Sequence, residues 1–263
     1  MSTSAQDHFW KNKVVLLTGA SSGIGEAIAL VAAKQGAILG LLARRKQLLD
    51  HLARRCSDAG GTARIFACDV RNPDDLRHAA DELRREFGRI DILLANAGIG
   101  GNNKETRDLE PEAVKQVIDI NLIGAVNSIS AVLPEMLERG SGQLVAISSL
   151  AGFRGIPRSA AYSASKAGMT AFFESVRLDT IGSGVDVTII QPGFIKTPLT
   201  AGRKSKMPYL LELEEALPLI LRAIEKRKKF CAFPWPTATL VRAARIFPTW
   251  LYDRIAIRAK YRE

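Results

Sequence analysis

Short apolar runs separated by stretches of helical periodicity are the feature that most restricts this chain's fold. Residues 13–18 (KVVLLT), 38–43, 63–67, 90–95, 143–147 and 185–190 form such runs. Strands this apolar must be covered on both faces, which predicts a parallel sheet between two helical layers. The intervening segments supply the helices. They are 24–35, stopping at Gly36, 46–59, stopping at Gly60-Gly61, 73–87, starting at a proline, then 111–137 and 160–181. Right-handed crossovers turn this order into one doubly wound sheet, an α/β fold. A chain of 263 residues suits a single such domain and buries a sizeable core without staples.

After Pro192 the rhythm changes. Residues 194–208 lack periodicity, 209–228 read as a helix and 230–233 as a last short strand. Residues 235–262 read as one or two helices broken at Pro248. The expected organisation is one domain over 1–234 with a C-terminal helical extension over 235–263. Charge is uneven along the chain. The net charge is +10, and residues 222–263 carry 11 Lys/Arg against 3 Asp/Glu. Charge alone fits nucleic acid, anionic lipid or an acidic substrate. No nucleic-acid recognition motif accompanies it, so nucleic acid is not an expected partner. Residues 1–7 are polar and do not resemble a signal peptide, and no apolar run of about 18 residues is evident. Cys56, Cys68 and Cys231 are scattered and lack metal-ligand spacing. They read as reduced thiols of a cytoplasmic protein, and no metal site is expected.

The first strand runs into TGASSGIG at 18–25 and then a helix. Gly19, Gly23 and Gly25 permit a tight turn and close approach of a pyrophosphate. Ser21, Ser22 and Ile24 stand where helix N–H groups are free to meet phosphate oxygens. In this strand–turn–helix setting the loop predicts dinucleotide binding on a Rossmann-type sheet. The Gly-Lys-Ser/Thr ending of a triphosphate loop is missing. The second strand ends in Ala43-Arg44-Arg45, with no acid to grip ribose hydroxyls. Arg44 and Arg45 suit a 2′-phosphate instead, Arg44 being the better placed, so NADP(H) is favoured over NAD(H).

Tyr162 and Lys166 are one helical turn apart, on one face. A free tyrosine is a poor base at neutral pH; a neighbouring ammonium favours its phenolate and makes proton transfer feasible. Alone, the pair equally suits a tyrosine packed beside a surface lysine. With 18–25, Asp69-Val70, Asn96-Ala97-Gly98, Asn121, Ser148-Ser149 and Pro192-Gly193 with Thr197, however, the chain resembles the short-chain dehydrogenase/reductase family, in its single-domain form, over roughly 12–198. The resemblance implies that Tyr162 is the general acid/base and that Ser149 hydrogen-bonds the reacting oxygen. It implies that Lys166 holds the nicotinamide ribose and that Asn121 holds a water in a relay to Lys166. Asp69 and Val70 are implied beside the adenine, and Asn96, Ala97 and Gly98 beside its ribose. Pro192, Gly193, Ile195 and Thr197 are implied at the carboxamide. Ala95 stands where the family often has a first Asn. Ser148, next to Ser149 on extended backbone, should point the other way.

These expectations describe an NADP(H)-dependent oxidoreductase acting on a carbonyl or alcohol. Phe153, Ile156, Phe194, Leu199 and Met207 suggest a lipophilic one. A non-enzymatic redox sensor would be expected to lack part of the catalytic set, and a sugar-nucleotide epimerase to have a longer substrate domain. The resemblance also implies a homodimer or homotetramer. Two readings of the extension stand. Its helices pack on the domain or on a partner subunit, which we prefer, or its aromatic and basic residues lie on anionic lipid.

Overall fold

The computed structural model describes residues 9–101, 108–201 and 207–258. The expected polar N-terminus and the charges Lys260 and Arg262 lie outside the described residues. Seven parallel strands form one sheet in the order β3-β2-β1-β4-β5-β6-β7. They are β1 (Val14–Thr18), β2 (Ile38–Ala43), β3 (Thr62–Ala67), β4 (Ile92–Ala95), β5 (Gly142–Ile147), β6 (Val185–Pro192) and β7 (Phe230–Phe233).

Period-two alternation explains why the central strands carry no polar face. In β1, Val15 and Leu17 join one core, while Val14 and Leu16 join the other. The first core is closed by α1 (Gly23–Lys34), α2 (Lys46–Asp58) and α8 (Leu213–Glu225). The second is closed by α3 (Pro73–Phe87), the segment 111–139 and α7 (Ala160–Asp179). Fully burying each such Leu or Val contributes about 1.5–3 kcal/mol. Local signals set the helix ends. Asn72 caps α3 by accepting from the Asp74 N–H at 3.1 Å, Pro73 opens the helix, and Gly88 closes it at φ 83°.

The predicted helix over 111–137 is interrupted. It comprises α4 (Pro111–Ile118), one π-helical turn over Asp119–Ile123, α5 (Gly124–Ser130) and, after a break, α6 (Leu133–Arg139). The wider turn carries Asn121, and such bulges recur at functional sites. The sequence reading found no apolar stretch of membrane-spanning length, yet Pro111–Arg139 reaches it, with a mean hydropathy of 1.5 in its best window. Half of that window is buried inside the protein, so its apolarity serves the core.

The predicted helix over 209–228 starts later, at Leu213. Leu211 is held instead in a bridge to Ile195. The extension forms two helices, α9 (Trp235–Ile246) and α10 (Thr249–Arg258), parted at Pro248 as expected.

Candidate active site

Strand order reverses between β1 and β4, and a crevice opens there at the carboxyl ends of the strands. The resulting cavity measures about 500 Å³. Its wall includes Gly19, Ser21, Ser22, Gly23, Ile24, Arg44, Arg45, Asp69, Val70, Asn96, Ala97 and Gly98. It also includes Ser149, Tyr162, Lys166, Pro192, Gly193, Ile195 and Thr197. Of the catalytic and cofactor-binding residues expected from sequence, Gly25 and Asn121 are outside this wall and act from behind it.

The glycine turn is packed too tightly for side chains. A Cβ on Gly19, at φ 67°, would sit 2.7 Å from Ala97 Cα. One on Gly25 would sit 2.5 Å from the Gly19 carbonyl oxygen. The side chain of Asn96 fastens this turn to β4, its Nδ2 donating to the carbonyls of Thr18 at 3.0 Å and Gly19 at 3.1 Å. Thr18 Oγ1 accepts from the Asn96 and Ala97 N–H groups at 3.1 and 3.2 Å. Asn96 therefore braces the loop, and Thr18, which the sequence reading placed in the glycine motif without a role, is its partner. Ser22, at the N-cap of α1, makes no side-chain cap bond. The first N–H groups of α1 thus keep their donor capacity toward the cavity.

At the same carboxyl end of the neighbouring parallel strand β2, Arg45 donates to Ser21 Oγ at 2.8 Å and Ser22 Oγ at 3.0 Å. Arg44, the arginine favoured from sequence, lies on the same wall. The Asp69 carboxylate takes a fork from the Arg71 guanidinium at 2.7–3.1 Å and also accepts the Arg71 N–H at 3.0 Å. Arg71 foremost, with Arg44 adding a smaller attraction, holds this carboxyl below its ordinary range. Val70 sits beside it, its carbonyl accepting from Asn127 Nδ2 at 3.0 Å.

The reacting end is built by β5 and α7. Ser148 and Ser149 diverge as extended backbone requires. Ser148 Oγ meets the Lys166 carbonyl at 3.1 Å and Thr170 Oγ1 at 2.8 Å, while Ser149 Oγ lies 3.4 Å from the Pro192 carbonyl. Lys166 is buried, and its Nζ donates to the Ile147 carbonyl at 2.8 Å. It lies 6.0 Å from the centre of the Tyr162 ring, on the same helical face. Burial pushes the Lys166 ammonium down from 10.5 to about 8, so it remains mostly charged at neutral pH.

Asn121 is wholly buried. Its Oδ1 accepts from the Ile99 N–H at 2.8 Å, and its Nδ2 donates to the Ile99 carbonyl and to Ser165 Oγ, both at 3.0 Å. Ser165 Oγ in turn donates to the Tyr162 carbonyl at 2.8 Å. Asn121 thereby ties the segment after β4 to the helix that carries Tyr162. Gly98 lies between the relevant groups: a Cβ there would stand 3.2 Å from Asn121 Oδ1 and 3.6 Å from Lys166 Nζ.

The substrate end departs from the sequence reading. Ile156, Phe194 and Leu199 line the cavity, as expected, but Phe153 and Met207 do not. The helical turn Leu150–Gly152 carries Phe153 outward, where its ring meets Arg242 of α9 at 5.9 Å. Thr237 and Val241 of α9 join the wall instead. Arg154 fixes this arrangement. It donates to the carbonyls of Ala244 and Phe247, the latter at 3.2 Å, and stacks 3.9 Å from the Tyr252 ring centre. Tyr252 Oη donates to the Gly155 carbonyl. The extension therefore packs on its own domain.

An uncapped helix start, two serine hydroxyls and two arginines at one end, with a lysine, a tyrosine and a serine at the other, suit a phosphate-bearing dinucleotide. The comparisons agree. The short chain dehydrogenase family matches residues 13–208. An uncharacterized oxidoreductase of Myxococcus xanthus is 42% identical over 248 residues, 94% of this chain and 98% of that protein. The 11-beta-hydroxysteroid dehydrogenase 1A of Arabidopsis thaliana is 41% identical over 192 residues, 73% of this chain but only 54% of that protein. The match thus spans about half of that relative's own length. A short-chain type dehydrogenase/reductase from Mycobacterium marinum superposes with a TM-score of 0.78 at 27% identity, covering 88% of this chain and 97% of that one. The chain belongs to the short-chain dehydrogenase/reductase family, oxidoreductases that bind a nicotinamide dinucleotide and act on CH–OH groups.

Proposed function

We propose that this enzyme interconverts a carbonyl and a primary or secondary alcohol on a lipophilic small molecule, with NADP(H) favoured over NAD(H). The observation that carries the reading is the buried Lys166 beside Tyr162, in one cavity with the glycine loop and Ser149. The bound dinucleotide supplies or accepts the hydride. Tyr162 gives its hydroxyl proton to the substrate oxygen in reduction and takes the alcohol proton in oxidation. Ser149 Oγ donates to the same oxygen, stabilising the charge that develops there. The Lys166 ammonium favours the phenolate of Tyr162, and Asn121 holds the helix that presents both. Gly98, with no side chain, keeps the approach between Asn121 Oδ1 and Lys166 Nζ free of a Cβ that would stand 3.2 and 3.6 Å from them, and a proton-relaying water between the two is part of this proposal.

Arg44 and Arg45 at the end of β2, a strand end that carries no acid of its own, support the 2′-phosphate. The apolar wall from Leu150, Ile156, Phe194 and Val241 supports a lipophilic substrate, and the steroid in the name of the Arabidopsis relative agrees with one. Exposed Ile123, Leu137 and Leu178 on the long helical segments 111–139 and α7 support a homodimer or homotetramer. Three free cysteines support a reducing, cytoplasmic setting. The complete set of Asn121, Ser149, Tyr162 and Lys166 favours an enzyme over a sensor. The test is a screen of aldehydes, ketones and alcohols with both dinucleotides. We expect turnover of apolar substrates, faster with the phosphorylated cofactor. No turnover across the panel despite tight cofactor binding would favour the sensor.

A further inference from the structure

We propose that α9 and α10 form a docking face for an anionic lipid surface. Packing on the domain and contact with lipid are not alternatives here. Arg154 and Tyr252 hold one side of the helix pair, and the other side remains open. Trp235 is 77% exposed, Ile246 85%, Trp250 68% and Ile257 60%. Trp235 and Ile246 recur at helical spacing on α9, and Trp250 and Ile257 do so on α10. Large apolar side chains this exposed need an occupant.

Charge selects the occupant. Arg242, Arg245 and Arg254 are exposed on these helices, and Asp253 is the one acid in the sequence from 235 to 258. A second copy of the chain is disfavoured, because a two-fold interface would set this basic face against itself. Tryptophans flanked by arginines instead suit the boundary between acyl chains and anionic headgroups. The same α9 lines the cavity through Thr237 and Val241, so docking would bring the substrate end of the cavity to the lipid.

The full chain provides its own probes. Trp10 is fully buried, so Trp235 and Trp250 are the tryptophans that lipid can reach. We expect their fluorescence to shift to the blue and to be quenched by brominated lipid in vesicles of phosphatidylcholine with phosphatidylserine. Binding to phosphatidylcholine alone should be weaker by about tenfold, and salt near 0.5 M should release the protein. The pair Ile246→Glu and Trp250→Glu should lower binding by at least about tenfold while turnover of a soluble substrate is unchanged. Arg245→Gln with Arg254→Gln should lose the phosphatidylserine dependence, with every apolar residue kept. No spectral shift at low salt would overturn the proposal. So would full vesicle binding by the Glu pair, or self-association that the same pair abolishes without any vesicle binding. Vesicle binding is read without turnover, so it succeeds or fails independently of the proposed reaction.

Discussion

Replacing Lys166 by methionine keeps the length of the side chain and deletes its charge. Burial lowers the Lys166 pKa from 10.5 to about 8. At about 1.36 kcal/mol per unit, holding the ammonium in the folded chain at pH 7 costs about 3 kcal/mol. Methionine removes that cost but leaves the Ile147 carbonyl without its donor, a loss of roughly 1–2 kcal/mol. The variant should therefore be more stable at pH 7 by about 1–2 kcal/mol, while losing catalysis. The pH dependence is the sharper test. Between about pH 8 and pH 10.5 the unfolded chain binds more protons at Lys166 than the folded chain does. Wild-type stability relative to the variant must rise through that window, by roughly 2–3 kcal/mol between pH 7 and pH 10. Urea unfolding of both cofactor-free proteins at the two pH values measures it, with Tyr162→Phe in both backgrounds so that the remaining titrating groups are shared. A difference that does not change with pH would refute the claim that a buried ammonium stands beside Tyr162.

Three further outcomes are expected. Arg44→Ala should weaken NADPH binding by about 10- to 100-fold, the loss of one charge-assisted contact, with NADH little affected; equal effects in a titration would remove the cofactor assignment. Gly25→Ala must push its Cβ against the Gly19 carbonyl at 2.5 Å and should weaken both dinucleotides by more than about tenfold in the same titration. Arg154→Ala removes the link to Ala244, Phe247 and Tyr252. It should raise the substrate KM by about three- to tenfold with cofactor affinity unchanged, and hydrogen exchange in 235–258 should quicken.

What the sequence disclosed depended on how local the determinant was. Wholly buried strands write themselves as apolar runs, and the turn at Gly19 requires a positive φ that glycine supplies. Tyr162 and Lys166 share a helix, so their spacing alone pairs them. The π-helical turn at Asn121 was hidden, because it inserts into a periodicity that otherwise reads as one helix. The second occupation of Asp69 by Arg71 was also hidden, since two residues' separation on a loop fixes no direction for the side chain. Arg154 is about 90 residues from the carbonyls it grips, and no local pattern announces such a contact. The same holds for Thr237 and Val241, whose helix is returned to the cavity by long-range packing. Phe153 and Met207 were misplaced for the converse reason: an apolar residue near a site in sequence faces the cavity only if the backbone turns it there.

The central claim is that Tyr162 moves the proton. Tyr162→Phe deletes one hydroxyl and keeps the ring that packs beside Lys166. Turnover of the best substrate should be measured alongside cofactor titration by fluorescence. We predict that kcat falls by at least about 100-fold, the usual contribution of a positioned general acid or base, while the dinucleotide binds within a few-fold of wild type. Turnover at the wild-type rate, with the cofactor bound equally well, would contradict the account.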